Sequence, residues 1–205
     1  MTDARGRDDL AGRVRDLLGA GALDLAPIGA GHTAERWHAL AALARRDVSE
    51  ARIVEAHVDA MQILAEAGRP TPGTRLWGVW ASESPRQRVT AERLSGGRIS
   101  LHGHKGFCGG AGIVDQALVT VELDRTPQLI AVALDDLDPS GIDRTAWATS
   151  ALADTATATV DLTGLVVDDD ALVGAAGWYT ERAGFWHGAI GPAACWAGAA
   201  QGLVD

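Results

Sequence analysis

"LHGHKGFCGGAGIVD", residues 101–115, is the stretch on which the reading of the chain turns. Its first twelve positions hold five glycines, two histidines, one lysine, one cysteine and one phenylalanine. Three chemistries use such a mixture: a phosphate cradle, a metal site and a bed for a flat ligand. The phosphate cradle fails because the stretch has no G-K-[ST] and no helix-forming run after it. His102 and His104 alternate onto one side of a strand with Cys108 nearby, but a further ligand at zinc spacing is lacking, so no metal is expected. Cys108 has no partner in sequence to activate it as a nucleophile and reads as a buried small hydrophobe. What survives is geometric. A strand, "RISLHGH", leads to Lys105 and then to Phe107, set among residues small enough to bring backbone against a planar ring. A β-turn around a buried Phe107 is the plain alternative.

Outward from this stretch, strand-length segments alternate with turns: "LWGVWA", "VTAERL", "RISLHGH", "QALVTVEL", "QLIAVAL" and "ATATVDL". In "TATATVDL" Thr155, Thr157, Thr159 and Asp161 face one way and Ala156, Ala158, Val160 and Leu162 the other. One face is therefore wet, as in an antiparallel sheet or sandwich. The first third reads as helix. "DVSE" at residues 47–50 offers an N-cap with a glutamate three residues on. Ala51, Val54, Val58, Met61 and Ala65 then recur at helical spacing, with Glu55, Asp59, Gln62 and Glu66 as a neighbouring polar stripe. Gly68 and Pro70 end that helix. Trp37, Leu40 and Ala44 mark a second helix, and Leu10, Val14, Leu17 and Leu18 a third. The end of the chain returns to helix over Phe185–Leu203. There Gly184, Gly188, Gly191, Cys195, Gly198 and Gly202 form a stripe of tiny side chains that lets another helix approach closely.

With 205 residues, of which 47% are hydrophobic, the chain can bury a genuine core. A net charge of −9 with no basic block argues against nucleic acid or an anionic membrane surface as partner and favours a small molecule. The charged start "MTDARGRDDLAGRVRDLL" lacks the apolar stretch of a signal peptide, and two cysteines in unlike settings fit a reducing cytoplasm. Residues 183–204 carry no formal charge and are long enough to span a bilayer. Their Ala/Gly composition makes transfer poor, and no membrane anchor is expected. "GAGHTA", Gly29–Ala34, matches G-x-G-x-x-A, with Glu50 near the distance of a ribose acid. Two successive helices follow it and no second strand, so it reads as a loop entering a helix.

The order of these segments resembles the first half of an acyl-CoA dehydrogenase family protein. "HGHKGFCGGAGIVD" (His102–Asp115) is similar position by position to that family's "NGxKxWITNGxxAD", "ARIVEAHVDAMQILAEAG" resembles its substrate-side helix, and "VDLTGLVVDDDALVGAAGW" resembles its exit from the β domain. The resemblance implies an α+β fold. An N-terminal helical bundle (1–73) would precede an antiparallel β-sandwich or barrel on the flavin side (74–168), with a linker and the first helix of an incomplete C-terminal bundle after it (169–205). It also implies a flavin, FAD or alternatively FMN, lined by Phe107, Cys108 and Gly109 and by Trp80, Ala81 and Ser82. Those last three are what "WASESPRQR" retains of the family's T-E-P-x-x-G-S-D.

The departures shape the functional expectation. Gly109 stands where the family's flavin-bonding threonine would be, leaving only backbone for that role. The late catalytic glutamate has no counterpart, and in the branch with an early base the matching position is Gly184. Glu181 and Asp168–Asp170 lie in a turn before the helix, so the catalytic residue is unknown. The expectation is a cytoplasmic flavoprotein oxidoreductase of acyl-CoA dehydrogenase type, a partial chain acting on a small molecule such as an acyl thioester. It would be a homo- or hetero-oligomer through its C-terminal helix. A non-catalytic subunit paired with a complete homologue, or a related flavin monooxygenase, are the alternatives.

Overall fold

The computed structural model describes residues 4–70 and 73–204; Thr71 and Pro72, inside the "RPTPGT" break, lie outside the described residues. Three helices come first, α1 (Ala4–Gly19), α2 (Thr33–Arg46) and α3 (Val48–Glu66). Asp47 caps α3 by accepting a hydrogen bond from the Glu50 backbone N–H at 3.0 Å. The return half of a capping box is missing, because the Glu50 carboxylate instead accepts from Arg13 Nε at 2.8 Å and ties α3 to α1. Val54 and Val58 are buried as their spacing predicts, while Ala65 is exposed on the last turn. Gly68, at φ +67°, takes the left-handed turn that stops the helix. The "GAGHTA" segment is a loop running into α2.

All six expected segments are strands: β1 (Trp77–Trp80), β2 (Val89–Leu94), β3 (Arg98–Cys108), β4 (Gln116–Leu123), β5 (Thr126–Ala133) and β7 (Ala158–Asp161). Three more, β6 (Ile142–Asp143), β8 (Val166–Asp168) and β9 (Leu172–Val173), are too short to show an alternation in sequence. The α+β class holds, but the sheet is mixed and not wholly antiparallel. It runs β6-β7-β3-β2-β4-β5-β9, with β1 on β4 and β8 on β3. Both parallel pairings share one edge of β4: β1 pairs over Gln116–Val119, and β2 over Glu122 and Leu123. Thr120 and Val121 are therefore left unpaired on that edge, and the segment linking β1 to β2 loops out past them. In "TATATVDL" the alternation holds from Thr157 to Leu162. Thr155 departs from it: the side chain is buried and donates to the Leu152 carbonyl at 2.7 Å.

The last segment forms α4 (Trp178–Glu181), α5 (Phe185–Gly188) and α6 (Ile190–Gly202) in place of one helix over Phe185–Leu203. Pro192 has no N–H to give the residue 188 carbonyl, so the helix restarts with proline in its first turn. The close helix approach that the small-residue stripe predicts is made to this chain's own α2 and α3. A Cβ on Gly198 or Gly202 would strike the carbonyl of Ala41 or Arg45 on α2, and Cys195 is buried with Sγ 3.7 Å from the Ala51 carbonyl of α3. The apolar side chains left exposed lie elsewhere on these helices, at Trp186, Ile190 and Trp196. Among the described residues no helix is long and apolar enough to cross a membrane.

Candidate functional site

The end of β3 carries a ledge. Strict alternation would put Lys105 and Phe107 on one face, but the register against β7 shifts between Lys105 and Cys108. Lys105 and Cys108 both turn inward and are fully buried, while Phe107 turns out and is 60% exposed. Phe107 sits at φ +58°, a left-handed conformation that costs a bulky residue about 1–3 kcal/mol. The buried Trp80 props the ledge from behind, its Nε1 donating to the Gly109 carbonyl at 3.0 Å. Two stretches that resemblance alone associated are thus physically joined. Gly109 N–H donates to the Phe107 carbonyl at 3.0 Å, and its carbonyl accepts from Trp80. The space over Gly109 is open, with only Thr157 Oγ1 nearby, 3.9 Å from where a Cβ would stand. Thr157 on the neighbouring chain segment therefore sets a hydroxyl beside the place where Gly109 lacks one.

Cys108 is a core residue whose Sγ lies 3.2 Å from the Lys105 carbonyl, and burial pushes its thiol up to about 12 against the nearby Lys105 charge. The Cys108 side chain is buried, as its sequence setting predicts, while Phe107 beside it is exposed. His102 and His104 remain on the exposed side of β3, facing Ser100 at 3.2 Å and Asp161 at 3.7 Å.

Lys105 has a structural task that the glycine-rich stretch did not reveal. Its Nζ fills the gap between β1 and β2, donating to the Thr120 carbonyl at 2.9 Å, Thr120 Oγ1 at 2.6 Å and Glu83 Oε1 at 3.0 Å. The carbonyl that lost a strand neighbour is satisfied by a side chain instead. Thr120 Oγ1 also donates to Glu83 Oε1 at 2.6 Å. Burial pushes the Glu83 carboxyl up, but the Thr120 and Lys105 hydrogen bonds outweigh it and hold the group below its ordinary value.

Glu83 stands on the wall of a cleft of about 990 Å³ between the sheet, α3 and the C-terminal helices. Val79, Val121, Tyr179 and Phe185 give it apolar surface, Ala81 lies at its side, and Arg88 and Glu122 approach each other to 3.9 Å on its wall. The polar stripe of α3 forms another wall. Glu55 is 5% exposed and is held at Oε2 by Arg52 Nη1. Arg182, also 5% exposed, reaches Asp59 Oδ1 at 3.3 Å and Glu66 Oε2 at 3.2 Å, while its Nε is buried without a partner. Burial lifts the Glu55 carboxyl to about 7 despite Arg52, and raises Asp59 despite Arg182.

These carboxylates fit beneath the C-terminal glycines. A Cβ on Gly191 would lie 2.6 Å from Glu55 Oε1 and one on Gly188 2.7 Å from Asp59 Oδ1, while one on Gly184 would strike Glu66. Beside Gly184 the Glu66 carboxylate accepts from the Gly184 N–H at 3.3 Å. Glu181 and Asp168–Asp170 are exposed. The structure thus brings Trp80 and Gly109 together beside Phe107, sets Ala81 on the cleft and leaves Ser82 exposed. Sequence reasoning missed Glu55, Thr157 and the pairing of Glu83 with Lys105. The polar stripe and the glycine stripe were both visible in sequence, and only their juxtaposition was not.

No family model and no curated protein sequence matches the chain. Solved structures do. TdsC from Paenibacillus sp. A11-2, in complex with FMN and indole, superposes with a TM-score of 0.71 at 21% identity, over 98% of this chain and 62% of that one. KijD3 in complex with FMN and dTDP-3-amino-2,3,6-trideoxy-4-keto-3-methyl-D-glucose gives 0.75 at 18%, over 97% and 55%. The ChsE4-ChsE5 complex from Mycobacterium tuberculosis gives 0.61 at 25%, over 84% and 58%. The chain shares their fold and spans 62% of the length of TdsC.

Proposed function

We propose that this chain binds a flavin against the Phe107 ledge and forms the flavin side of an oxidoreductase of acyl-CoA dehydrogenase type. The observation that carries this reading is Phe107 itself: an exposed aromatic in a strained conformation, with open space over Gly109, on a fold shared with two FMN complexes. Such a ledge fits a flat ring. Phe107 would stack on it, Thr157 Oγ1 would hydrogen-bond its edge, Cys108 would contribute backbone, and Trp80 would hold Gly109 in place. Of the two residues after Trp80, Ala81 lines the cleft and Ser82 is exposed. A bound flavin, FAD or FMN, supplies two-electron redox chemistry. This chain's own residues bind and orient, and the cleft between α3 and the sheet takes the substrate.

The test is the visible spectrum after incubation with FMN or FAD and removal of free flavin by gel filtration. Retained flavin absorbance supports the reading, and none with either flavin overturns it. A specific observation favours a second reading, a flavin monooxygenase: Gly109 replaces the dehydrogenases' threonine, Gly184 leaves no base, and TdsC bears the name dibenzothiophene monooxygenase. Anaerobic mixing with acyl-CoAs separates the two. Slow or absent bleaching of the flavin band is the expected outcome for this chain alone, and rapid bleaching would favour the dehydrogenase.

A further inference from the structure

We infer that Glu55 is the residue that exchanges a proton with a ligand in the cleft, and that the ligand is a small, largely apolar molecule carrying a weakly acidic O–H. The inference deepens the oxidoreductase reading and rests on it for the reaction served, but proton exchange needs no bound flavin.

The geometry is asymmetric in a way that suits the task. Arg52 occupies Oε2, and Arg52 is itself steadied by the Trp196 ring 5.9 Å from its Cζ. Oε1 has no hydrogen-bond partner among the described residues and lies under Gly191, where any side chain would crowd it. One oxygen is thus anchored and the other left without a protein partner, on a side chain that lines the cleft. Val79, Val121, Tyr179 and Phe185 around the cleft suit an apolar ligand body. Glu55 also lines a second cavity of about 10 Å³, together with Arg36, Trp37, His187 and Gly191. That is near the lower limit for one water. Glu55 and Asp59 line both spaces, so the two carboxyls border the cleft and the small cavity alike.

The proton balance is simple. The ligand O–H bond breaks with its electron pair staying on the ligand oxygen, and an O–H bond forms at Glu55 Oε1. Reversal restores both. The charged groups that bias this exchange are Arg52 and Asp59 on α3 and Arg36 on α2, while Tyr179 on α4 and Cys195 on α6 face Glu55 and have their own ionisation raised by it. Arg52 and Arg36 favour the carboxylate, whereas burial and Asp59 favour the acid, leaving a midpoint of about 7 at which either direction is accessible.

The test uses the flavin-free chain with its glutamates ¹³C-labelled at the carboxyl, titrated by NMR with and without 4-nitrophenol. One resonance, lost in Glu55→Gln, is expected to titrate with a midpoint of about 7. Saturating 4-nitrophenol should move that midpoint by roughly one pH unit or more. If Glu55→Gln does not fold, Gly191→Ala identifies the resonance, since it displaces Oε1 while keeping the carboxyl. Titration in the ordinary carboxylate range overturns the inference. A midpoint unmoved by the probe, bound or not, does so equally. Loss of flavin absorbance would count against the ledge alone, so the two readings fail separately.

Discussion

The two halves of the C-terminal glycine stripe meet different surfaces. Gly198 and Gly202 lie on the backbone of α2, with carbonyl oxygens where their side chains would be. Gly184, Gly188 and Gly191 lie over Glu66, Asp59 and Glu55 of α3. The residue type is the same, but the reason for it differs. In the first half glycine allows two helix backbones to touch, and nothing there can yield. In the second half it clears room for carboxylates, whose ends can swing aside. Small residues at a helix interface therefore do not by themselves distinguish packing from a site, and what lies opposite them does.

The largest expected effect is in the rigid half. Gly198→Ala must push α2 and α6 apart, at a cost of about 3 kcal/mol, which lowers Tm by roughly 6–12 °C. Thermal unfolding checks it, and an unchanged Tm would mean that this half is as tolerant as the other.

A comparable effect, visible only through pH, belongs to the acid half. Burial lowers the His57 ring to about 4, and its Nδ1 accepts from the Trp77 N–H at 3.3 Å. As pH falls from 6.5 to about 4 the unfolded chain binds a proton that the folded chain refuses, so stability drops by about 3 kcal/mol. Glu55 has the opposite sign. Between pH 4.5 and about 7 the folded chain keeps a proton that the unfolded chain has lost, so stability falls by about 3 kcal/mol as pH rises. The two slopes largely cancel in the native protein. Glu55→Gln should uncover the His57 slope, giving stability that climbs by about 3 kcal/mol between pH 4 and 6.5 in denaturant titrations. A flat profile in that variant would contradict the assignment.

Gly191→Ala sharpens the contrast from the other side. Its Cβ would meet the far end of Glu55 and not backbone, so the cost should be about 1 kcal/mol or less in denaturant unfolding. A loss as large as that of Gly198→Ala would erase the distinction between the halves. The smallest expected effect lies where the halves meet. Burial raises the Cys195 thiol to about 11 and that of Cys108 to about 12, so neither should react with a thiol reagent at pH 8 in the folded state. Labelling of Cys195 without unfolding would show that α6 opens.

Sequence periodicity exposed the long elements. The Asp47 cap, the α3 core positions and six strands needed only local rules, because each is long enough for its pattern to repeat. It did not expose the mixed sheet, since two strands sharing one edge of β4 is a fact of topology with no local trace. The roles of Lys105 and Glu83 follow from that gap and were equally hidden. Phe107 and Trp80 were legible through resemblance. Thr157 was not, because it approaches Gly109 from another part of the chain. Glu55 was seen as one member of a polar stripe, and the covering glycines that bury it lie more than a hundred residues away.

The central claim is that Phe107 is a flavin platform, and titrating FMN into the protein while following its fluorescence tests it most directly, with Phe107→Ala alongside. Stacking on an aromatic ring quenches flavin emission, and such a contact is worth about 1 kcal/mol beyond its buried area. The account predicts saturable quenching by the native chain and binding weakened by about tenfold in the variant, with the fold unchanged by circular dichroism. Equal quenching by the two proteins, or none by either with FMN and FAD alike, would contradict it.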